Sequence, residues 1–148
     1  MEFITKPNGI LDIDEGIICQ QVNCCDAIGA GISGDIIDKY PIVKHQYHKF
    51  CGINSKHELF GRMQVVQVSD KLFVANIFSQ LDFGDSMVTG AVYTNMETLT
   101  TILKRMDEVS DKPLYVPDHI GCGLAGGDWD EFLNIMKDTA ICVVSMPG

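Results

Sequence analysis

Apolar positions along this chain follow two rhythms, short runs of strand type and helical stripes, and they alternate. Met1 to Thr5 can form a short strand that ends at the turn Lys6-Pro7-Asn8-Gly9. Gly16 to Val22 reads as a buried strand. Ile32, Ile36 and Ile37 are helically spaced, Tyr40-Pro41 marks that helix's end, and Pro41 suits the first turn of a second helix through about Phe50. Met63 to Val68 and Lys71 to Phe78 are β-rich runs parted by Ser69-Asp70, a hairpin signal. Gln80 to Val92 reads as a loop. Thr94 to Glu97 has the S/T-x-x-E form of a capping box, opening a helix with Leu99, Ile102, Leu103 and Met106 on one face and ending near Ser110. Leu114 to Val116 predicts a strand, Asp128 to Thr139 a helix, and Ala140 to Ser145 a closing strand. Strands alternating with helices predict an α/β sandwich around a mixed sheet, with the hairpin supplying antiparallel pairing.

Two glycine-rich loops fall where a strand hands over to a helix. Gly29-Ala30-Gly31 follows the first long strand, and Gly121-Cys122-Gly123-Leu124-Ala125-Gly126-Gly127 follows Leu114 to Pro117 and runs into Asp128-Trp129. Glycine lets backbone N–H groups approach a ligand closely, and a helix N-terminus adds unpaired donors with partial positive charge. In α/β sheets ligands bind beyond the carboxyl ends of the strands, where both loops fall. The pair suits a ligand with phosphates and a sugar. Neither loop is a G-x-x-x-x-G-K-[ST] phosphate loop, and Gly29-Ala30-Gly31 lacks the third glycine and distant acid of a dinucleotide fingerprint.

Composition narrows the partners. The 148 residues are expected to form one domain, and 46% apolar with 21% charged residues are globular values. A net charge of −9 argues against duplex nucleic acid, which needs clustered Lys and Arg, but not against a small anion held by backbone amides. No stretch approaches bilayer length, and the first residues lack the pattern of a secretory signal. The six cysteines include no C-x-x-C, and the four histidines complete no zinc pattern, although His45 and His48 stand three apart on one helix. Reduced thiols in a cytoplasmic protein, with no metal and no cofactor, are expected. Cys122 at a helix start is a conceivable nucleophile, set against a small buried thiol among glycines.

The arrangement resembles the macro domain family. Gln20-Gln21-Val22-Asn23-Cys24 with Ile28-Gly29-Ala30-Gly31-Ile32 is similar to the family's strand with terminal asparagine and its G-A-G-I loop. Ile120 to Trp129 is similar to its diphosphate-cradling loop, and Asn76 to Gln80 resembles its middle strand. The likeness spans residues 1–148 and is nearest to the phage-encoded and ADP-ribose-1″-phosphate phosphatase-like members, which are related to terminal ADP-ribose protein glycohydrolase. It implies a three-layer α/β/α sandwich of one macro-like domain that binds ADP-ribose or a derivative, free or on an ADP-ribosylated protein, in the cytoplasm (the host's, for a phage-encoded member). Asn23 would bind the distal ribose. Gly29, Ala30, Gly31 and Ile32 would contact that ribose and the nearby phosphate. Gly121, Cys122, Gly123, Leu124, Ala125, Gly126 and Gly127 would wrap the diphosphate, and Phe83 would flank the ligand.

Three departures bear on activity. The family's adenine-binding aspartate has no direct counterpart in Asn8-Gly9-Ile10-Leu11-Asp12, so Asn8 or Asp12 must substitute or adenine selectivity is relaxed. The lysine and aspartate of the glycohydrolases fall near Gly90 and at Ala125, and a histidine proposed for phosphatase-like members falls near Gln20. None of these replacements supplies titratable chemistry. What remains is Asp128, either an N-cap or a base that activates water, with Asp26 orienting that water and His119 as a further candidate. The resemblance thus leaves hydrolysis of ADP-ribose-1″-phosphate or a related derivative and a non-catalytic ADP-ribose-binding module as the main readings, beside a structural or interaction domain with a vestigial pocket.

Overall fold

The computed structural model describes residues 1–148, with six strands and six α-helices. The strands are β1 (Glu2–Thr5), β2 (Gly16–Asn23), β3 (Met63–Gln67), β4 (Leu72–Gln80), β5 (Leu114–Pro117) and β6 (Cys142–Ser145). They form one mixed sheet in the order β1-β6-β5-β2-β4-β3. Every neighbouring pair is parallel except β3–β4, the expected hairpin. The helices are α1 (Gly31–Lys39), α2 (Pro41–Gly52), α3 (Lys56–Leu59), α4 (Ser86–Thr89), α5 (Met96–Val109) and α6 (Trp129–Met136), with a single 3-10 turn at Gly9–Asp12.

Alternation along the central strands divides the side chains between two helical layers. Cys19, Ala75, Ile77, Val116 and Val143 pack against Leu99, Leu103 and Met106 of α5 and Phe132 and Met136 of α6. Ile18, Val74 and Val66 face Ile36 and Ile37 of α1 and Val43 of α2. Val22 and Phe78 meet Tyr47 of α2 and Leu59 of α3 in a separate cluster. A row of amides divides those last two clusters. Gln20 Nε2 donates to Asn76 Oδ1 at 2.8 Å, and Asn76 Nδ2 donates to Gln64 Oε1 at 3.0 Å. These residues stand side by side on β2, β4 and β3. Gln20 Oε1 is buried without a partner.

The elements differ from the expected ones where tertiary contacts override local signals. Helix α5 begins at Met96 with Asn95 as its cap, whose side chain accepts from Thr98 N. The Thr94–Glu97 capping box does not form, because the Thr94 hydroxyl is spent on the carbonyl of Gly121. The stretch Gln80 to Val92 is not all loop: it carries α4, capped by Asp85 and closed by Gly90 in the left-handed region. Helix α6 stops at Met136, three residues short of Thr139, and β6 starts at Cys142. Helix α3 was not signalled by periodicity, but a complete Ser55–Glu58 capping box holds it. No helix is long and apolar enough to cross a membrane.

Helix α1 folds back onto the loop that precedes it. A Cβ added at Gly34 would lie 2.5 Å from the carbonyl oxygen of Gly29, whereas one added at Gly52 would meet nothing within 4 Å. Alanine in a helix normally gains about 1 kcal/mol over glycine. Gly34→Ala is expected to reverse that sign and lose about 1–3 kcal/mol of stability, because the loop backbone must move. Gly52→Ala is expected to be neutral or stabilising. Urea denaturation of the two variants checks both signs.

Candidate functional site

The site begins with an irregularity in the central strand pair. Register runs from Val22↔Phe78 straight to Asn23↔Gln80, so Ser79 is an extra residue on β4. Such bulges re-aim side chains. The Ser79 carbonyl leaves the ladder to accept from Asn95 N at 2.8 Å, and its hydroxyl donates to Gln21 Oε1 at 2.6 Å. Gln80 keeps its backbone bond from Cys24 N at 2.8 Å, and its side chain lines the cleft above the strand ends.

Asn23 and Tyr47 build the first loop. Asn23 Oδ1 accepts from Cys25 N at 3.0 Å, and Nδ2 donates to Ala27 O at 2.6 Å. The fully buried Tyr47 hydroxyl reaches Asn23 O at 2.8 Å and Asn23 Oδ1 at 2.9 Å, and accepts from Ala27 N at 3.2 Å. Burial raises the pKa of this phenol, so it remains a proton donor. Asp26, at φ +58°, pairs with His48 Nδ1 at 2.5 Å. Loop residues 23–27 are thereby strapped to α2. The chain then passes Gly29 at φ +144° and Gly31 at φ +57° into α1, whose N-terminus no side chain caps. Its first-turn N–H groups stay free for an acceptor or anion.

The second loop is held by contacts that leave no room for a side chain. Gly121, at φ +70°, lies against Thr94 and the Gln21 amide, and a Cβ at Gly127 would sit 2.6 Å from the Gly121 carbonyl oxygen. Leu124 O accepts from Ser86 N at 2.9 Å and Ala125 O from Tyr93 N at 2.8 Å, which fastens the loop to the segment carrying α4.

Between the loops lies a cleft of about 380 Å³, within the usual range for small-molecule sites. Its floor and first wall are Gln21, Val22, Asn23, Ala27, Ile28, Gly29, Ala30 and Ser33, and its second wall is Gln80, Phe83, Gly84, Leu124 and Ala125. No lining residue carries an ionisable side chain.

Of the residues singled out in the sequence, the structure brings Asn23, Gly29, Ala30, Phe83, Leu124 and Ala125 together around the cleft. Gly31 and Ile32 follow directly in the first turn of α1. Gly121, Cys122, Gly123, Gly126 and Gly127 form the turn behind Leu124-Ala125 and do not line it. Asp128 caps α6, its carboxylate accepting from Asp130 N at 3.0 Å and Glu131 N at 3.3 Å. Neither it nor Asp26 lines the cleft. Burial, with lesser contributions from Asp128 and Glu131, pushes the Cys122 thiol up to about 11, which leaves it protonated and unfit as a nucleophile. His119 bonds Asp118 at 2.9 Å and stacks on Trp129, which stacks on Phe132. Asn8 N and Nδ2 both donate to the Asp12 carboxylate, away from the cleft. No three His, Cys, Asp or Glu side chains are grouped to hold a metal ion.

Sequence reasoning missed Gln21, Gln80 and Ser33. The signal for Gln21 was present, a polar residue inside an apolar strand. Gln80 and Ser33 carried none, because only the bulge and the loop's path aim them at the cleft.

No family model and no curated protein matches the chain. Solved structures do resemble it. A protein of unknown function from Bacteroides thetaiotaomicron is 24% identical over 97% of this chain and 96% of that one, with a TM-score of 0.80. A macrodomain protein from Streptomyces coelicolor is 19% identical over 99% of this chain and 98% of that one, with a TM-score of 0.72. DarTG from Thermosipho africanus, in complex with ADP-ribose, is 16% identical over 90% of this chain and 38% of that one, with a TM-score of 0.65. The chain has the α/β fold of the macrodomains.

Proposed function

We propose that this protein binds ADP-ribose, free or attached to a protein, in the cleft between its two glycine loops, and that it acts as a binding module. One observation carries the reading: the cleft offers an open helix N-terminus and neutral hydrogen-bonding groups, and no ionisable side chain lines it. That set suits holding a ribose and a diphosphate, but supplies no general acid or base within reach. The likeness to the fold of DarTG, which binds ADP-ribose, supports the choice of ligand. In this arrangement the free amides of Gly31 and Ile32 meet the phosphate nearest the distal ribose. That ribose lies over Asn23, and Phe83 and Leu124 close the outer wall.

The alternative reading is hydrolysis of ADP-ribose-1″-phosphate, with Asp128 as base and Asp26 orienting water. It would require two carboxylates that do not line the cleft: Asp128 Oδ1 caps α6, and Asp26 Oδ1 is bonded to His48. Asp128 is therefore better explained as the cap that aims the second loop into α6.

Isothermal titration calorimetry with ADP-ribose is expected to give micromolar affinity. Ser33→Trp, which fills the cleft, is expected to abolish binding, and Phe83→Ala to weaken it by about fivefold, the scale of one lost aromatic contact. No heat and no thermal shift at millimolar ADP-ribose would exclude this ligand. Incubation with ADP-ribose-1″-phosphate is expected to release no phosphate, and Asp128→Asn, which keeps the cap, to bind as tightly as the parent. Phosphate release that Asp128→Asn abolishes would replace the binding reading with the hydrolase one.

A further inference from the structure

Beneath the cleft, three side chains form a hydrogen-bond chain with one allowed polarity. Thr94 Oγ1 lies 2.5 Å from the carbonyl oxygen of Gly121, which can only accept, so the single hydroxyl proton goes there. Thr94 must then accept from Gln21, and the amide atom 2.8 Å from it must be Nε2. This turns Oε1 toward Ser79, whose hydroxyl donates at 2.6 Å. The two ends of a glutamine amide are ordinarily hard to tell apart; here a backbone carbonyl at the far end of the chain decides. All three side chains are buried.

An amide nitrogen carries two hydrogens. One Gln21 hydrogen is on Thr94, and the other has no protein partner, although the residue belongs to the cleft wall. Gln80, opposite Asn23 in the sheet, also lines the cleft. Gln21 cannot turn its oxygen to the cleft without setting its oxygen against the lone pairs of Thr94. A ligand that reaches the remaining N–H would therefore meet a donor of fixed sense.

We propose that Gln21 is a ligand contact that donates to an oxygen acceptor of ADP-ribose, a hydroxyl or a phosphate oxygen, and that Thr94 is the positioning residue holding it in that sense. The inference rests on the ADP-ribose-binding reading and deepens it. It makes Gln21 a specificity determinant: the contact favours a ligand oxygen and disfavours an amino group at the same place.

The test follows the side-chain NH₂ signals of Gln21 by ¹⁵N NMR of the whole protein. On adding ADP-ribose, the proton not bound to Thr94 is expected to shift strongly and the one bound to Thr94 much less. ADP produces the same shift if the acceptor is a phosphate, and none if it is a hydroxyl of the distal ribose; either result supports the contact. Gln21→Met and Thr94→Val are each expected to weaken ADP-ribose binding by about tenfold, the scale of one hydrogen bond, and Thr94→Ser to restore it to within about twofold. ADP-ribose binding that leaves both Gln21 protons unmoved, with Thr94→Val binding like the parent, overturns this inference and spares the binding reading. No ADP-ribose binding at all overturns both.

Discussion

The pairing of β2 with β4, in step for seven residues and then out of step by one, is the constraint on which the rest depends. While in register, the two strands send aliphatic side chains to both helical layers and so define the core. At Ser79 the extra residue breaks the repeat where the strands reach the cleft end of the sheet. That break turns Ser79 inward to Gln21, leaves a carbonyl for Asn95 at the head of α5, and aims Gln80 outward. The stable pairing and the cleft floor are thus one continuous object. A regular ladder would have kept Ser79 and Gln80 in simple alternation and left nothing to join β4 to the second loop.

Much of this was legible in the amino acids, for identifiable reasons. The glycine loops announced themselves because positions such as Gly31 and Gly121 sit at positive φ, and Gly127 packs where a Cβ would strike a carbonyl. The hairpin and the alternation of strand and helix followed from periodicity. The failures share a cause, competition between a local rule and a distant partner. Thr94 and Asn95 are both good caps, and only the carbonyl of Gly121, 27 residues away, removes Thr94 from the contest. Helix α4 is a single turn too short to show a stripe. Gln80 and Ser33 became part of the wall through a bulge and a loop path that no local pattern encodes.

Charge is arranged with a purpose that the net value hides. The chain is acidic overall, yet no carboxylate lines the cleft. Asp26 is held by His48, Asp82 by Lys56, and Asp128 by the first turn of α6. An anionic ligand approaching the cleft meets backbone dipoles and amides in place of carboxylates.

The amide row of Gln20, Asn76 and Gln64 has a consequence for how the sheet finds its alignment. Three polar side chains abreast on three strands satisfy one another only in a single register. Sliding any strand along its neighbour would set an amide against aliphatic surface and strand its partners in the interior. The row gives up some burial, most plainly at the unpartnered Gln20 oxygen, and in return works as a key that fits one alignment of the sheet. The same alignment places the extra residue at the strand ends, so the key that selects the fold also selects where the cleft opens.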